Sequence, residues 1–301
     1  MTTTRWQDYA ETRVPVPGGE LAVLRWPAAE PSAAGSPPIL LVHGITGNAL
    51  AWAAVADEIA GRAELIAVDL RGRAGSRDIE GPWGIDQNAA DLVSVLDALH
   101  LDQALLVGHS LGAFVAAQAA ATSPKRFTRL VAVDGGLGFP LPDGADPDAI
   151  LEAVVGPAVK KLSMTFADAE AYLDFHRVHP AFVGNWTPQL TAYLVRDTRE
   201  LPGGNVVSSC REEAIRADGK QVLLDDKVRT NIVSGVACDV DFLYAARGML
   251  DEPQALYDPA RLSLAGLDRT PARIEFVPGT NHYTIVAPGP GAKAIARAVQ
   301  R

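Results

Sequence analysis

Leu105-Leu106-Val107-Gly108-His109-Ser110-Leu111-Gly112-Ala113 is the stretch that decides the fold. The apolar run that leads into it, Ala104-Leu-Leu-Val, shows no polar alternation, the pattern of a strand buried on both faces of a parallel sheet. The next segment, from Ser110 to Ala121, reads as a helix, so Gly-x-Ser-x-Gly falls on a strand-to-helix turn. A turn this tight holds its serine in a strained backbone conformation, and a side chain at 108 or 112 would collide with the neighbouring strand or helix. It lifts the Ser110 hydroxyl above the sheet. The backbone N–H groups that open the helix, led by Leu111, then point at any anion formed on a group that Ser110 attacks.

Working outward, the alternation of strand and helix repeats. Ile39-Leu-Leu-Val, Leu65-Ile-Ala-Val and Leu130-Val-Ala-Val read as buried strands, and helices are predicted over 49–60 and 85–99. In the second helix Ile85, Ala89, Leu92, Val93, Leu96 and Leu99 recur at steps of three and four, which leaves Asp91 and Asp97 to face water. Strands alternating with helices predict an α/β class protein with a doubly wound, mostly parallel sheet. Val14-Pro-Val-Pro-Gly-Gly-Glu-Leu-Ala-Val-Leu predicts an N-terminal hairpin around its Pro-Gly-Gly turn, and Pro27 to Pro38 a loop. The alternation stops after Gly135 and returns at Val240-Asp-Phe-Leu-Tyr-Ala-Ala and Arg273-Ile-Glu-Phe-Val, before a closing helix from about 291 to 301. This pattern divides the chain into a core of residues 1–135 and 235–301 and a helical cap over 136–234 covering the end of the sheet.

Composition narrows the class. Of 301 residues 48% are hydrophobic and 21% charged, which suits a large packed core and excludes global disorder. The formal net charge is −9 and no Lys/Arg cluster forms a phosphate-tracking stripe, so nucleic acid is not an expected partner. No stretch of about 18 consecutive apolar residues occurs, and Met1-Thr-Thr-Thr-Arg-Trp-Gln-Asp carries no basic region followed by an apolar run. The expectation is a cytoplasmic protein that neither spans nor binds a membrane. Two cysteines, Cys210 and Cys238, are too few for a disulfide framework and lack the paired spacing of a zinc site. They read as reduced thiols.

A serine hydroxyl is a poor nucleophile without a base, and histidine best suits that task near neutral pH. Six histidines compete: His43, His100, His109, His176, His179 and His282. His109 lies inside the turn, where it points away from the hydroxyl, and His100 ends a scaffolding helix. His176 and His179, three apart in the cap, have no third ligand nearby, so neither a metal nor a cofactor is expected. His282 follows the Ile274-Glu-Phe-Val strand in a Pro-Gly-Thr-Asn-His-Tyr loop and emerges on the same sheet edge as Ser110. The carboxylate that orients the imidazole belongs between serine and histidine in the chain. Asp251, just past the 241–246 strand, is the first choice; Asp134, at the end of the Leu130–Val133 strand, is the alternative, and Glu252 a weaker one. Asp134 is otherwise read as a loop residue before Gly135-Gly136. In Val42-His43-Gly44-Ile45, Gly44 lets the backbone turn so that the Ile45 N–H joins that of Leu111 on a developing oxyanion.

His43-Gly44, Val68-Asp69-Leu-Arg-Gly-Arg-Ala-Gly75-Ser76, Gly108-His-Ser-Leu-Gly112, Gly248-Met-Leu-Asp251 and Asn281-His282 together resemble the α/β-hydrolase superfamily, in its branch with a helical cap after the sixth strand. The resemblance implies a Ser110, Asp251 and His282 triad with Ile45 and Leu111 as oxyanion donors. Members that open epoxides or remove halides use aspartate at the turn, which Ser110 disfavours. The implied activity is that of a carboxylesterase on small to medium hydrophobic esters, with lactonase, amidase or carbon–carbon bond hydrolase as alternatives. A small-ligand receptor that retains the triad is the non-catalytic reading. Trp52, Phe182, Trp186 and Tyr193 are expected to line an apolar substrate pocket, and Arg177 or Arg196 to meet a carboxylate if the substrate has one. The sequence does not fix an oligomeric state.

Overall fold

The computed structural model describes residues 6–29, 37–139, 144 and 146–301, so the loop read over Pro27–Pro38 falls partly outside the described residues. Every residue of β3 (Ile39–Val42) and β4 (Leu65–Val68) is buried, as their unbroken apolar sequence demands of strands covered on both faces. They sit side by side at the centre of an eight-stranded sheet. β1 (Ala10–Val16) and β2 (Gly19–Trp26) form the N-terminal hairpin; β5 (Ala104–His109) and β6 (Phe127–Val133) continue the sheet on the other side of β3. β10 (Asp239–Arg247) and β11 (Arg273–Asn281) complete the order β1-β2-β4-β3-β5-β6-β10-β11. From β4 to β11 the pairing is parallel, whereas β2 pairs antiparallel with both β1 and β4. The doubly wound α/β class expected from the sequence is what the chain adopts.

Period-two alternation within the buried strands divides their side chains between two apolar layers. Leu40 and Val42 face one layer with α2 (Ile85–Ala98), α3 (Leu111–Thr122) and α8 (Asp226–Ser234). Ile39 and Leu41 face the other with α1 (Ala53–Ile59) and α10 (Pro290–Val299). In α2, Asp91 is not at the surface as its helical position suggests. It is 1% exposed and forms a two-pronged ion pair with Arg71 at 2.6 and 2.7 Å. The partner lies 20 residues upstream, so no periodicity within the helix could announce it.

The segment between β6 and β10 departs from an all-helical cap over 136–234 in two respects. Between α4 (Pro147–Leu162) and α7 (Glu212–Leu224), around α5 (Ala169–Arg177) and α6 (Pro188–Arg196), three strands form a small antiparallel sheet. They are β7 (Thr165–Phe166), β8 (Thr198–Glu200) and β9 (Val206–Ser208), in the order β7-β9-β8. At two or three residues each they are too short to show a period. The second departure is α8, whose Val228 and Ile232 are buried in the same layer as α3, so the chain returns to the sheet before residue 235. The rest of the segment is tied to the loops at the strand ends. Arg196 bonds Asp69 at 2.6 Å, Arg73 bonds Asp218 at 2.5 Å, and Asn48 donates to the Tyr193 carbonyl at 2.9 Å.

Candidate active site

Ser110 sits at φ 54°, ψ −122°, a conformation that L-residues rarely adopt, on the turn between β5 and α3. Close backbone packing holds it there. A Cβ at Gly108 would lie 2.3 Å from the Gly112 carbonyl oxygen, and one at Gly112 would lie 2.1 Å from that of Val42. The Leu111 amide opens α3, where no preceding turn exists to accept it. The Ile45 amide likewise meets no protein acceptor among the described residues, while its carbonyl accepts from Arg73 Nε at 3.0 Å. Gly44 faces the serine, with only 3.3 Å between its Cβ position and Ser110 Cβ.

His282 Nε2 lies 3.1 Å from Ser110 Oγ, and its Nδ1 lies 2.7 Å from Asp134 Oδ2. A carboxylate can only accept, so Nδ1 carries the proton and Nε2 is left to accept from the serine hydroxyl. The other oxygen of Asp134 accepts from the Ala245 amide at 3.0 Å, which fixes the carboxylate in its plane. Asp134 and His282 are both buried, at 1% and 3% exposure. This corrects the Asp251 assignment. β5 and β6 pair in a register that places His109 beside Val133, and the Ser110 amide donates to the Val133 carbonyl at 2.9 Å. The first residue past β6 is therefore level with the serine. Gly135 permits the approach, since a Cβ there would lie 2.2 Å from the Ser110 carbonyl oxygen.

Asp251 lies farther out. β10 has an irregularity between Ala245 and Arg247 and is followed by a turn that leaves Asp251 paired with Arg247 at 3.1 Å. Its other contact is Asn281 Nδ2, at 3.0 Å. Asn281 in turn accepts from the amides of Tyr283 and Thr284, so Asp251 braces the loop that carries His282 without touching the imidazole. Glu252 accepts from the Leu250 amide at 2.6 Å in that same turn.

The neighbouring histidines are structural. The Leu70 amide donates to His43 Nε2 at 2.9 Å, which leaves Nδ1 to donate to the Gly44 carbonyl at 2.7 Å. His109 Nε2 bonds the His282 carbonyl at 2.8 Å. Burial pushes each imidazole down to about 3. Both are neutral in the folded protein, while in the unfolded chain they titrate near 6.5. Between those values the unfolded state binds the extra protons, so this contribution to stability is complete above about pH 6.5 and lost as pH falls below it. Melting temperature is expected to drop steadily from about pH 7 to about 4.5, with each histidine contributing up to about 1.4 kcal/mol per pH unit. A flat profile in thermal melts would show that the two rings accept protons without unfolding.

Of the expected pocket residues, two are brought together and two are not. Phe182 and Tyr193 join His109, Leu190, Tyr283 and Val286 around a cavity of about 60 Å³. Trp52 is fully buried with the apolar residues of α1 and β3, because its 3-10 turn directs the ring into the sheet's core. Trp186 packs on a small core within the segment between β6 and β10, donates to Thr191 at 3.0 Å and lies under the Arg177 guanidinium. Tyr283 joins the lining without having been singled out by sequence, although it directly follows His282. His176 and His179 turn to Tyr172 and to Phe182 and Tyr283.

A family model described as the alpha/beta hydrolase fold matches residues 37–284. The chain belongs to the α/β-hydrolase fold family. It is a hydrolase by that membership. Among similar proteins, a putative carbamate hydrolase, RutD, of Azorhizobium caulinodans is 30% identical over 64% of this chain and 70% of its own length. N-formylmaleamate deformylase of Pseudomonas putida is 33% identical over 48% of this chain and 58% of its own. The crystal structure of E-2-(acetamidomethylene)succinate hydrolase superposes with a TM-score of 0.76 at 24% identity, over 97% of this chain and all of the other, a likeness of fold. Among the described residues no helix is long and apolar enough to cross a membrane.

Proposed function

We propose that this α/β-fold hydrolase cleaves small carboxylic acyl compounds through an acyl-enzyme on Ser110. The hydrogen-bonded run from Ser110 through His282 to Asp134 carries the reading. His282 Nε2 takes the hydroxyl proton as Ser110 Oγ attacks the acyl carbon, and the oxyanion that forms is met by the Ile45 and Leu111 amides. His282 then gives the proton to the leaving group. Water, activated by the same imidazole, attacks the acyl-enzyme and frees the acid. Asp134 holds the imidazole in the tautomer that this cycle needs. The apolar cavity beside Phe182, Tyr193 and Tyr283 supports an ester with a short hydrophobic part.

A second reading is hydrolysis of a carbon–nitrogen bond, which the carbamate hydrolase and deformylase relatives favour. The proton that His282 delivers serves an amine leaving group as well as an alcohol. Purified protein assayed against 4-nitrophenyl esters and the matching 4-nitroanilides is expected to turn over the esters, with a fluorophosphonate labelling Ser110 stoichiometrically and stopping turnover. Absence of labelling in well-folded protein would overturn the acyl-enzyme reading. Anilide turnover equal to ester turnover would move the assignment to the carbon–nitrogen bond.

A further inference from the structure

The cations of the cap differ in what they have left to offer. Arg196 is consumed by Asp69 and by Glu11, at 2.6 and 3.0 Å. Arg177 is exposed and held by Glu170 and Asp174 while it covers Trp186. Neither is free to meet a substrate carboxylate. Lys161, in the last turn of α4, has different surroundings. Its Nζ lies 3.4 Å from Asp197 Oδ2 and 3.3 Å from Tyr172 Oη, both longer than the roughly 2.7–2.9 Å of a charge-assisted bond.

Asp197 is already engaged. It accepts from Tyr172 Oη, from Ser208 Oγ at 3.0 Å, from Ser209 Oγ at 2.9 Å and from Cys210 Sγ at 3.5 Å. An ammonium has three N–H donors, and two long contacts leave at least one of them unmet. That donor is left for water or for an anionic ligand. The Lys161 side chain, at the end of α4, is 18% exposed and so open to solvent. It also remains charged: burial pulls the ammonium down, but the charge and hydrogen bond of Asp197, together with Cys210 and Tyr283, outweigh this and leave it above the ordinary lysine value.

Its helix packs against the loop that carries Ile45. Val159 and Leu162, on the same helix, pack with Cys210 and Ile215 against Ile45, the residue that offers an oxyanion amide. Tyr283, which lines the apolar cavity, has its ring 5.3 Å from that of His282. The Lys161 charge acts on that half-buried phenol. We infer that Lys161 binds a carboxylate carried by the acyl group, so that the substrate is a monoanionic half-ester or half-amide of a short dicarboxylic acid. This inference rests on the acyl-enzyme reading for its chemistry, but its binding step can be tested apart from it.

The full chain is assayed on 4-nitrophenyl butyrate and on the mono-4-nitrophenyl ester of glutaric acid. Wild-type protein is expected to favour the anionic ester in kcat/KM at least tenfold. The ratio of the two values should fall about tenfold in Lys161→Met and return in Lys161→Arg. Calorimetry with glutarate on the Ser110→Ala protein supplies the second arm, with binding lost when Lys161→Met is added and kept with Lys161→Arg. Lys161-dependent glutarate binding without any ester turnover would uphold the carboxylate site and sink the acyl-enzyme reading. A wild-type enzyme that prefers the neutral ester, or a Lys161→Met loss equal on both esters, would overturn the carboxylate site.

Discussion

Asp134→Asn is expected to lower kcat by about ten-thousand-fold while leaving the melting temperature close to wild type, whereas Asp251→Asn should cost no more than about fivefold. The asymmetry arises from the hydrogen bonds each carboxylate makes. Asp134 accepts from His282 Nδ1 at 2.7 Å and from the Ala245 amide at 3.0 Å. An asparagine there keeps one acceptor and gains a donor. If the Ala245 amide claims the oxygen, the NH₂ faces His282, which then presents Nδ1 as an acceptor and moves its proton to Nε2. In that tautomer the imidazole cannot take a proton from Ser110. The Asp251 carboxylate meets Arg247 and Asn281, and Asn281 keeps its bond to the Ala181 carbonyl at 3.1 Å when Asp251 is neutralised. Steady-state kinetics on both variants, with circular dichroism to confirm folding, decides the matter. A severe loss in Asp251→Asn and a mild one in Asp134→Asn would return the orienting role to Asp251.

The same pair of aspartates shows what the sequence could and could not convey. The positions of Ser110, His282, Ile45 and Leu111 at one sheet edge were legible because each stands at a fixed offset from a recognisable strand end. The choice of acid was not. Asp134 and Asp251 both follow parallel strands of the same sheet, and which one reaches the imidazole depends on strand register and on the irregularity near the end of β10. Positive φ at both residues, 45° and 60°, would not have separated them either. A similar limit hid Asp91, whose partner Arg71 is local in space and remote in sequence. Trp52 failed as a pocket residue for the opposite reason: an aromatic near a functional loop is as apt to be core as lining, and its rotation into the sheet is set by a 3-10 turn that carries no periodicity.

Asp218→Ala is expected to destabilise the protein by about 3–5 kcal/mol, because it strands a fully buried guanidinium. Arg73 uses its whole fork. Nη2 bonds Asp218 at 2.5 Å, Nη1 the Arg71 carbonyl at 2.8 Å, and Nε the Ile45 carbonyl at 3.0 Å. Asp218 is itself held by Asn88 Nδ2 at 3.0 Å, so its removal also leaves that amide without this acceptor. A buried ion pair is weak evidence for net stability, since well-packed apolar residues of similar size often serve as well. The double variant Arg73→Met with Asp218→Leu should therefore regain most of the loss in urea unfolding. Activity should not return with it, because the pair links α7 to the loop that carries Ile45. With the Nε bond gone, the Ile45 amide loses the brace that the proposed mechanism requires of an oxyanion donor, and losing one such donor costs about 2.7–4 kcal/mol of transition-state stabilisation. The double variant is thus expected to be stable with kcat down about 100-fold or more. Full recovery of both stability and kcat would mean that the pair anchors the cap alone and that the Ile45 loop holds its shape without Arg73.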